Sequence, residues 1–188
     1  MACKRLLVFS GLTAGLGACA SAPEPMLYTL ASHSSAVGSR SQSGTLIGLS
    51  EITLPSYARN QQITTASGLY RLSEDDDHRW ASPPSEAISE QLSAVLEAQT
   101  GSDVLLRPYP PGVRPELRLT ISFSRLLRGS DGGAELSGQY IITSVDDDVH
   151  VERFEIRVGS NTTDYVDYMA ALSEGLDRLG GEIARQLP

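Results

Sequence analysis

In the stretch from Leu117 to Leu127 the chain alternates, with Leu117, Leu119, Ile121 and Phe123 on one side and Arg118, Thr120, Ser122 and Ser124 on the other. A period of two with one apolar face belongs to a strand whose sheet is covered on that face and solvated on the other. Two further strands follow, Ala134 to Val145 and Val149 to Val158, after turns at Asp131-Gly132-Gly133 and Asp146-Asp147-Asp148. In the last strand Val149 and Val151 fall out of phase with Phe154, Ile156 and Val158, which predicts a bulge near Glu152-Arg153. Such a meander needs a cover.

Two amphipathic helices supply it. After Pro83 and Pro84, the residues Ile88, Leu92, Val95, Leu96 and Gln99 recur at helical spacing, with Gly101 as the stop. A longer stripe, Tyr165, Met169, Leu172, Leu176, Leu179, Ile183 and Leu187, follows Asp164, a residue suited to capping a helix start. Gly175, Gly180 and Gly181 oppose this helix by ~1 kcal/mol each. A stripe sustained despite them implies that close packing holds it.

Upstream, Met26 to Leu30 and Thr45 to Leu54 read as strands, the second ending at Pro55. Ile63 to Leu72 and His78 to Ala81 read as a hairpin joined by the acidic run Glu74 to Asp77, and Asp103 to Leu106 as a short strand. The expected fold is α+β: a mostly antiparallel sheet with two amphipathic helices packed on one face.

The start of the chain sets its address. Lys4 and Arg5 precede an apolar run from Leu6 to Leu16 that ends in Leu16-Gly17-Ala18-Cys19. A short basic start, a short apolar stretch and small residues before a cut mark a secretory signal. The run is about half of the ~20 residues a helix needs to cross a bilayer, so it exports without anchoring. Leu-Gly-Ala-Cys resembles a bacterial lipobox, in which the chain is cut before the cysteine and its sulfur and new amino group are acylated. Each buried CH₂ of such chains contributes ~0.8 kcal/mol, and two or more chains anchor stably.

These features divide the chain into a signal peptide (1–18), a lipidated tether (19–25) and one α+β domain (26–188). By analogy with enterobacterial lipoproteins, where Asp after the cysteine retains the protein at the inner membrane, Ala20 suggests passage to the outer membrane. Ala31 to Gly44 is mostly Ser and Gly; the apolar residues Tyr28 and Leu30 just before it favour a loop within the domain over more tether.

Composition removes several chemistries. The chain has 23 acidic against 15 basic residues, and removing Lys4 and Arg5 makes it more acidic still. Nothing would track a phosphate backbone, and anionic membrane surfaces would repel the chain as a whole, so membrane contact falls to the lipid. Lys4 is the only lysine, which excludes Schiff-base and phosphate-loop lysines from the mature protein. Cys3 lies in the leader and Cys19 carries lipid, which excludes disulfides and cysteine–zinc sites. No cofactor is expected beyond the covalent lipid on Cys19.

No catalytic or metal constellation emerges. His33, His78 and His150 share no metal-like spacing and read as solvated surface histidines. Glu74 to Asp77 and Asp146 to Asp148 lack the alternating ligands and glycine of a calcium loop and read as solvated turns. No G-x-S-x-G elbow occurs, and Glu51 and Glu86 offer no recognisable carboxylate pair. Trp80, the only tryptophan, reads first as a core lid between sheet and helix and second as a partner anchor.

The motifs taken together resemble a family. After Cys19 come Tyr28-Thr29-Leu30, then Ile52-Thr53-Leu54-Pro55-Ser56-Tyr57 followed by Gln62-Ile63-Thr64-Thr65, Leu69 to Tyr70, and His78-Arg79-Trp80-Ala81. A helix, a strand meander and the closing helix complete the order. This is similar to the ABC-type transport auxiliary lipoproteins, the PqiC-like group, across nearly the whole mature chain. The chain departs from the family pattern at Asn60-Gln61 and at Pro84.

The resemblance implies a non-enzymatic periplasmic lipoprotein that works with an MCE-domain protein and an inner-membrane lipid-transport complex. It would dock the MCE component at the outer membrane through a face near Leu54, Pro55, Tyr57 and Trp80. Two rivals share the build: an outer-membrane assembly lipoprotein of the lipopolysaccharide-export type, and an envelope hydrolase using Ser, Glu or Asp groups. Homo-oligomers are compatible with two amphipathic helices and an exposed strand edge.

Overall fold

The structure, a computed structural model, describes residues 24–30, 45–50, 52–160 and 162–187. The leader, Cys19, the Ser/Gly segment with His33, and Glu51 lie outside the described residues. The elements are β1 (Met26–Tyr28), β2 (Ile47–Leu49), a 3₁₀ turn (Ser56–Ala58), β3 (Gln62–Ala66), β4 (Leu72–Trp80), α1 (Pro84–Thr100), β5 (Val104–Leu106), β6 (Leu117–Arg128), β7 (Ala134–Ser144), β8 (Val149–Val158) and α2 (Tyr165–Ala184).

β6 is the strand on which the sheet is built. One edge pairs antiparallel with β7, from Leu117↔Ser144 to Arg128↔Ala134, and β7 pairs likewise with β8. The other edge is shared by three short parallel partners: β2 against Leu117 to Leu119, Thr53 against Ser122, and Thr65 of β3 against Arg128. Too short to complete a sheet, these recruit neighbours of their own. β2 takes β5, and β3 takes β4, which takes β1. The long pairings are antiparallel and the short ones mostly parallel, with the two helices completing an α+β fold.

The alternation of β6 holds as read, with Leu117, Leu119, Ile121 and Phe123 all buried. Three expectations are corrected. The strand from Thr45 to Leu54 reduces to Ile47–Leu49 plus the bridge at Thr53. Four steps from Leu49 to Thr53 lie against three from Leu119 to Ser122, so one residue is extra and the ladder breaks.

The bulge lies not in β8 but in β6, where the register shifts between Phe123 and Arg125. β7 and β8 run in continuous register, and Val149 and Val151 simply face outward, 61% and 53% exposed.

The β3–β4 hairpin turns at Ser67 to Arg71, closed by the Ser67 N–H donating to the Arg71 carbonyl at 2.8 Å, and the acidic run sits inside β4. Gly68, at φ +113°, supplies the conformation this turn demands. The acidic residues are tolerated in a strand because both faces of β4 are largely exposed there.

The helices lie side by side, α2 on β7 and β8, and α1 along α2 and against β5. Asp164 caps α2 as read, its side chain accepting from the Val166 N–H at 2.9 Å. Met169, Leu172, Leu176, Leu179 and Ile183 are all buried, as are Ile88, Leu92 and Leu96 of α1. Gln91, an unexpected buried polar residue, donates from Nε2 to the Ser173 carbonyl at 3.0 Å and to Ser173 Oγ at 2.7 Å, tying the helices together.

The glycines have a packing reason. A Cβ on Gly180 would stand 2.4 Å from Val95 Cγ1, and one on Gly175 2.8 Å from Leu136 Cδ1. Among the described residues β8 pairs with β7 alone, which leaves its other edge unpaired there.

Two glycines one residue apart therefore have opposite mutational signs. Gly180→Ala drives a methyl into β-branched Val95. Gly181→Ala meets nothing nearer than Arg185 Nη1 at 3.8 Å and gains the ~1 kcal/mol of helix propensity. Urea unfolding is expected to separate the two variants by about 1–3 kcal/mol, Gly180→Ala the less stable.

Candidate functional site

The chain enters the domain through β1, three residues pairing Met26 with His78, Leu27 with Arg79 and Tyr28 with Trp80. Side chains strengthen this short ladder. The Tyr28 hydroxyl and His78 Nδ1 share a hydrogen bond of 2.8 Å, and the His78 ring stacks on Tyr165, centroids 3.9 Å apart and planes 9° apart. Tyr165, the first residue of α2, donates its hydroxyl to Asp75 Oδ2 at 2.8 Å. Arg128 of β6 places its guanidinium 4.7 Å from the centroid of the Tyr165 ring and donates to the Thr163 carbonyl. One cluster thus joins the entry segment, the β3–β4 hairpin, β6 and the start of α2. His78 is half-buried within it, which corrects its reading as a solvated histidine.

Burial alone would raise the Asp75 carboxyl. The Tyr165 hydroxyl, the backbone N–H groups of Asp77 and His78, and the charge on His78 outweigh it and hold Asp75 below the usual aspartate range. Burial and the bond to Asp75 push Tyr165 the other way, upward, which keeps it a donor. His150, by contrast, is exposed, its Nε2 3.5 Å from Glu152.

An open cleft of about 490 Å³ lies beside the first half of α1. Ser85, Glu86, Ser89 and Glu90 form one wall, Leu49, Ser50 and Ile52 another, and Leu106 to Pro108 the third. Ser89 Oγ is engaged, donating to the Ser85 carbonyl at 2.7 Å. The cleft offers carboxylates opposite Arg107 and suits polar contact.

Of the residues expected at a partner face, Leu54 and Trp80 are buried, 3% and 4% exposed. Their side chains pack in the core, so neither is available to a partner. Pro55 and Tyr57 are partly exposed at the 3₁₀ turn, with the Tyr57 hydroxyl accepting from the Leu126 N–H at 3.4 Å. Cys19 lies outside the described residues, and among those described no helix is long and apolar enough to cross a membrane.

Sequence reading missed Leu69 and Tyr70 as surface features by placing them inside a strand. They occupy the hairpin turn and are 92% and 99% exposed. The signal was present in Ser67-Gly68, a turn dipeptide outweighed by the acidic run.

The model of the ABC-type transport auxiliary lipoprotein component matches residues 28–184. No curated protein is similar enough in sequence to match. Two crystal structures share the fold. One, of an uncharacterized protein, has a TM-score of 0.75 at 16% identity and covers 88% of this chain and 100% of its own. The other, a Xanthomonas campestris protein of the DUF330 family, has a TM-score of 0.68 at 15% identity and covers 85% and 92%.

The cluster makes stability depend on pH. A carboxyl held below its unfolded value stabilises the fold at neutral pH, and that share is lost as pH falls below about 4. Tyr165→Phe removes the hydroxyl donor, so Asp75 is expected to titrate nearer the ordinary aspartate value. The acid-side loss of stability should shrink with it. NMR titration of Asp75, with urea midpoints from neutral pH to about pH 3, measures both.

Proposed function

The chain belongs to the ABC-type transport auxiliary lipoprotein component family, and from that premise we propose that it is a non-enzymatic subunit of an intermembrane lipid-transport system. It is held by acyl chains on Cys19 at the periplasmic face of the outer membrane, where it docks an MCE-domain protein that an inner-membrane complex drives. The family match over residues 28–184 carries this reading. The lipobox Leu16 to Cys19 and Ala20 support the anchor and the address.

The physics of such a part is that of a tethered receptor. Anchoring confines the domain to a thin layer and raises its effective concentration toward anything else held there, so a modest docking affinity suffices. Pro55 and Tyr57 keep surface for a partner, and the open cleft with Glu86, Glu90 and Arg107 adds polar contact beside α1. A transport auxiliary works by binding, and the domain is accordingly read as a binding module with no cofactor beyond the lipid.

The reading is tested in a Gram-negative host with the full-length chain. Intact mass is expected to show cleavage before Cys19 and added acyl groups, and Cys19→Ala is expected to lose both. Crosslinking of the wild-type protein in membranes is expected to recover an MCE-domain protein. Recovery of an outer-membrane β-barrel in its place would shift the assignment to lipopolysaccharide export. Turnover abolished by a single carboxylate substitution would shift it to a hydrolase.

A further inference from the structure

We propose that the β3–β4 turn is a second membrane contact, in which Leu69 and Tyr70 enter the lipid surface that holds the acyl chains of Cys19. This rests on the lipid-anchor reading given above.

Three observations carry it. The first is exposure: Leu69 is 92% and Tyr70 99% exposed, and Leu72 beside them is 42% exposed. The turn that presents them is fixed, since the Ser67 N–H donates to the Arg71 carbonyl at 2.8 Å and Arg71 Nε to Ser67 Oγ at 2.9 Å. A protein surface rarely leaves two large apolar side chains wholly in water on a hydrogen-bonded tip without a use for them.

The second is direction. β1 runs parallel to β4, with Met26 opposite His78, so the start of β1 points along β4 toward Leu72 and the turn. Because β4 bulges between Asp75 and Arg79, the stretch from Arg79 to Leu72 spans only the four β3 steps from Gln62 to Ala66, or ~13 Å, and Tyr70 lies two residues, about 7 Å, further on. From Met26 back to Cys19 is seven residues, which reach at most ~25 Å. Fully extended, the tether is therefore long enough to set the lipidated residue level with the tip. Strand direction also places the turn at Asp146 to Asp148 at the opposite end, beside Leu117.

The third is chemistry. Leu with Tyr is the pairing of the headgroup boundary, the alkyl chain entering the acyl layer and the phenol keeping its hydroxyl in the wet zone. Arg71 is the one charged residue from Ser67 to Leu72 and suits anionic headgroups. The first carboxylate up β4, Glu74, is four residues from Tyr70, on the order of 13 Å along an extended chain and beyond the ~8 Å Debye length. Asp131, in the β6–β7 turn at the same end, has its carboxylate engaged by the Gly133 N–H at 3.1 Å. The tip itself, Ser67 to Leu72, thus carries one positive charge and no carboxylate in an otherwise acidic chain.

The experiment uses the full lipoprotein reconstituted in phosphatidylethanolamine–phosphatidylglycerol vesicles. With Cys19 acylated, Tyr70→Cys provides a single free thiol for an environment-sensitive fluorophore, and Asp147→Cys provides the same at the far end. The label at position 70 is expected to shift to the blue and to be quenched several-fold more by brominated lipid than the label at 147. Equal quenching at the two positions on vesicle-bound, acylated protein would overturn the membrane tip and leave the anchor standing. Protein that fails to float with vesicles and shows a bare thiol at Cys19 would overturn both. A label at 70 that dries only when an MCE-domain protein is added would assign the tip to a protein partner and overturn the lipid contact.

Discussion

A strand has two edges, and in this protein those of β6 are used in different ways. One carries an antiparallel partner along its whole length, interrupted once by the bulge between Phe123 and Arg125, and the other is divided among three short parallel segments that arrive separately along the chain. The long side gives a ladder of hydrogen bonds with a single bulge and the inward rows on which α2 lies. The divided side gives anchorage to pieces that have too few residues to make a sheet of their own. β1, β4 and β3 hang from β6 through the ladder pair Thr65↔Arg128.

So thin a backbone connection explains the side chains gathered beside it. Arg128 stands at the pair itself, its guanidinium against the Tyr165 ring, while Tyr165 reaches across to Asp75 and stacks on His78. A cation against an aromatic face and a charge-assisted hydrogen bond each add a modest increment beyond area, larger where water is excluded. Together they fasten the hairpin to the start of α2, where Asp164 has already fixed the first turn. The cluster closest to the tether is thus also the joint between the two halves of the sheet.

Much of this was legible from side-chain period. Leu117 to Phe123 announced a one-sided strand, the stripe from Met169 to Ile183 a covering helix, and its glycines a close contact that Val95 and Leu136 supply. Period failed where burial on one face does not select residues. Val149 and Val151 are apolar on the solvent side, so their phase suggested a bulge that does not exist. Charge failed likewise in β4, where four consecutive acidic residues suit a turn and are equally content in a strand open on both faces. Trp80 is buried as its first reading, a core lid, expected, while Leu54 and Trp80 look like partner residues in a motif because motifs mix core with surface.

The free edge of β8 has its own consequence. Alternate residues of the ten in Val149–Val158 turn their backbone donors and acceptors to whatever approaches from that side. A bare ladder is a template for stacking into ribbons. The strand is interrupted by Glu152, Arg153, Glu155 and Arg157, so a second strand sliding along it in most registers meets like charge or an unmatched one. The edge thus carries its own gatekeepers against strand-to-strand stacking.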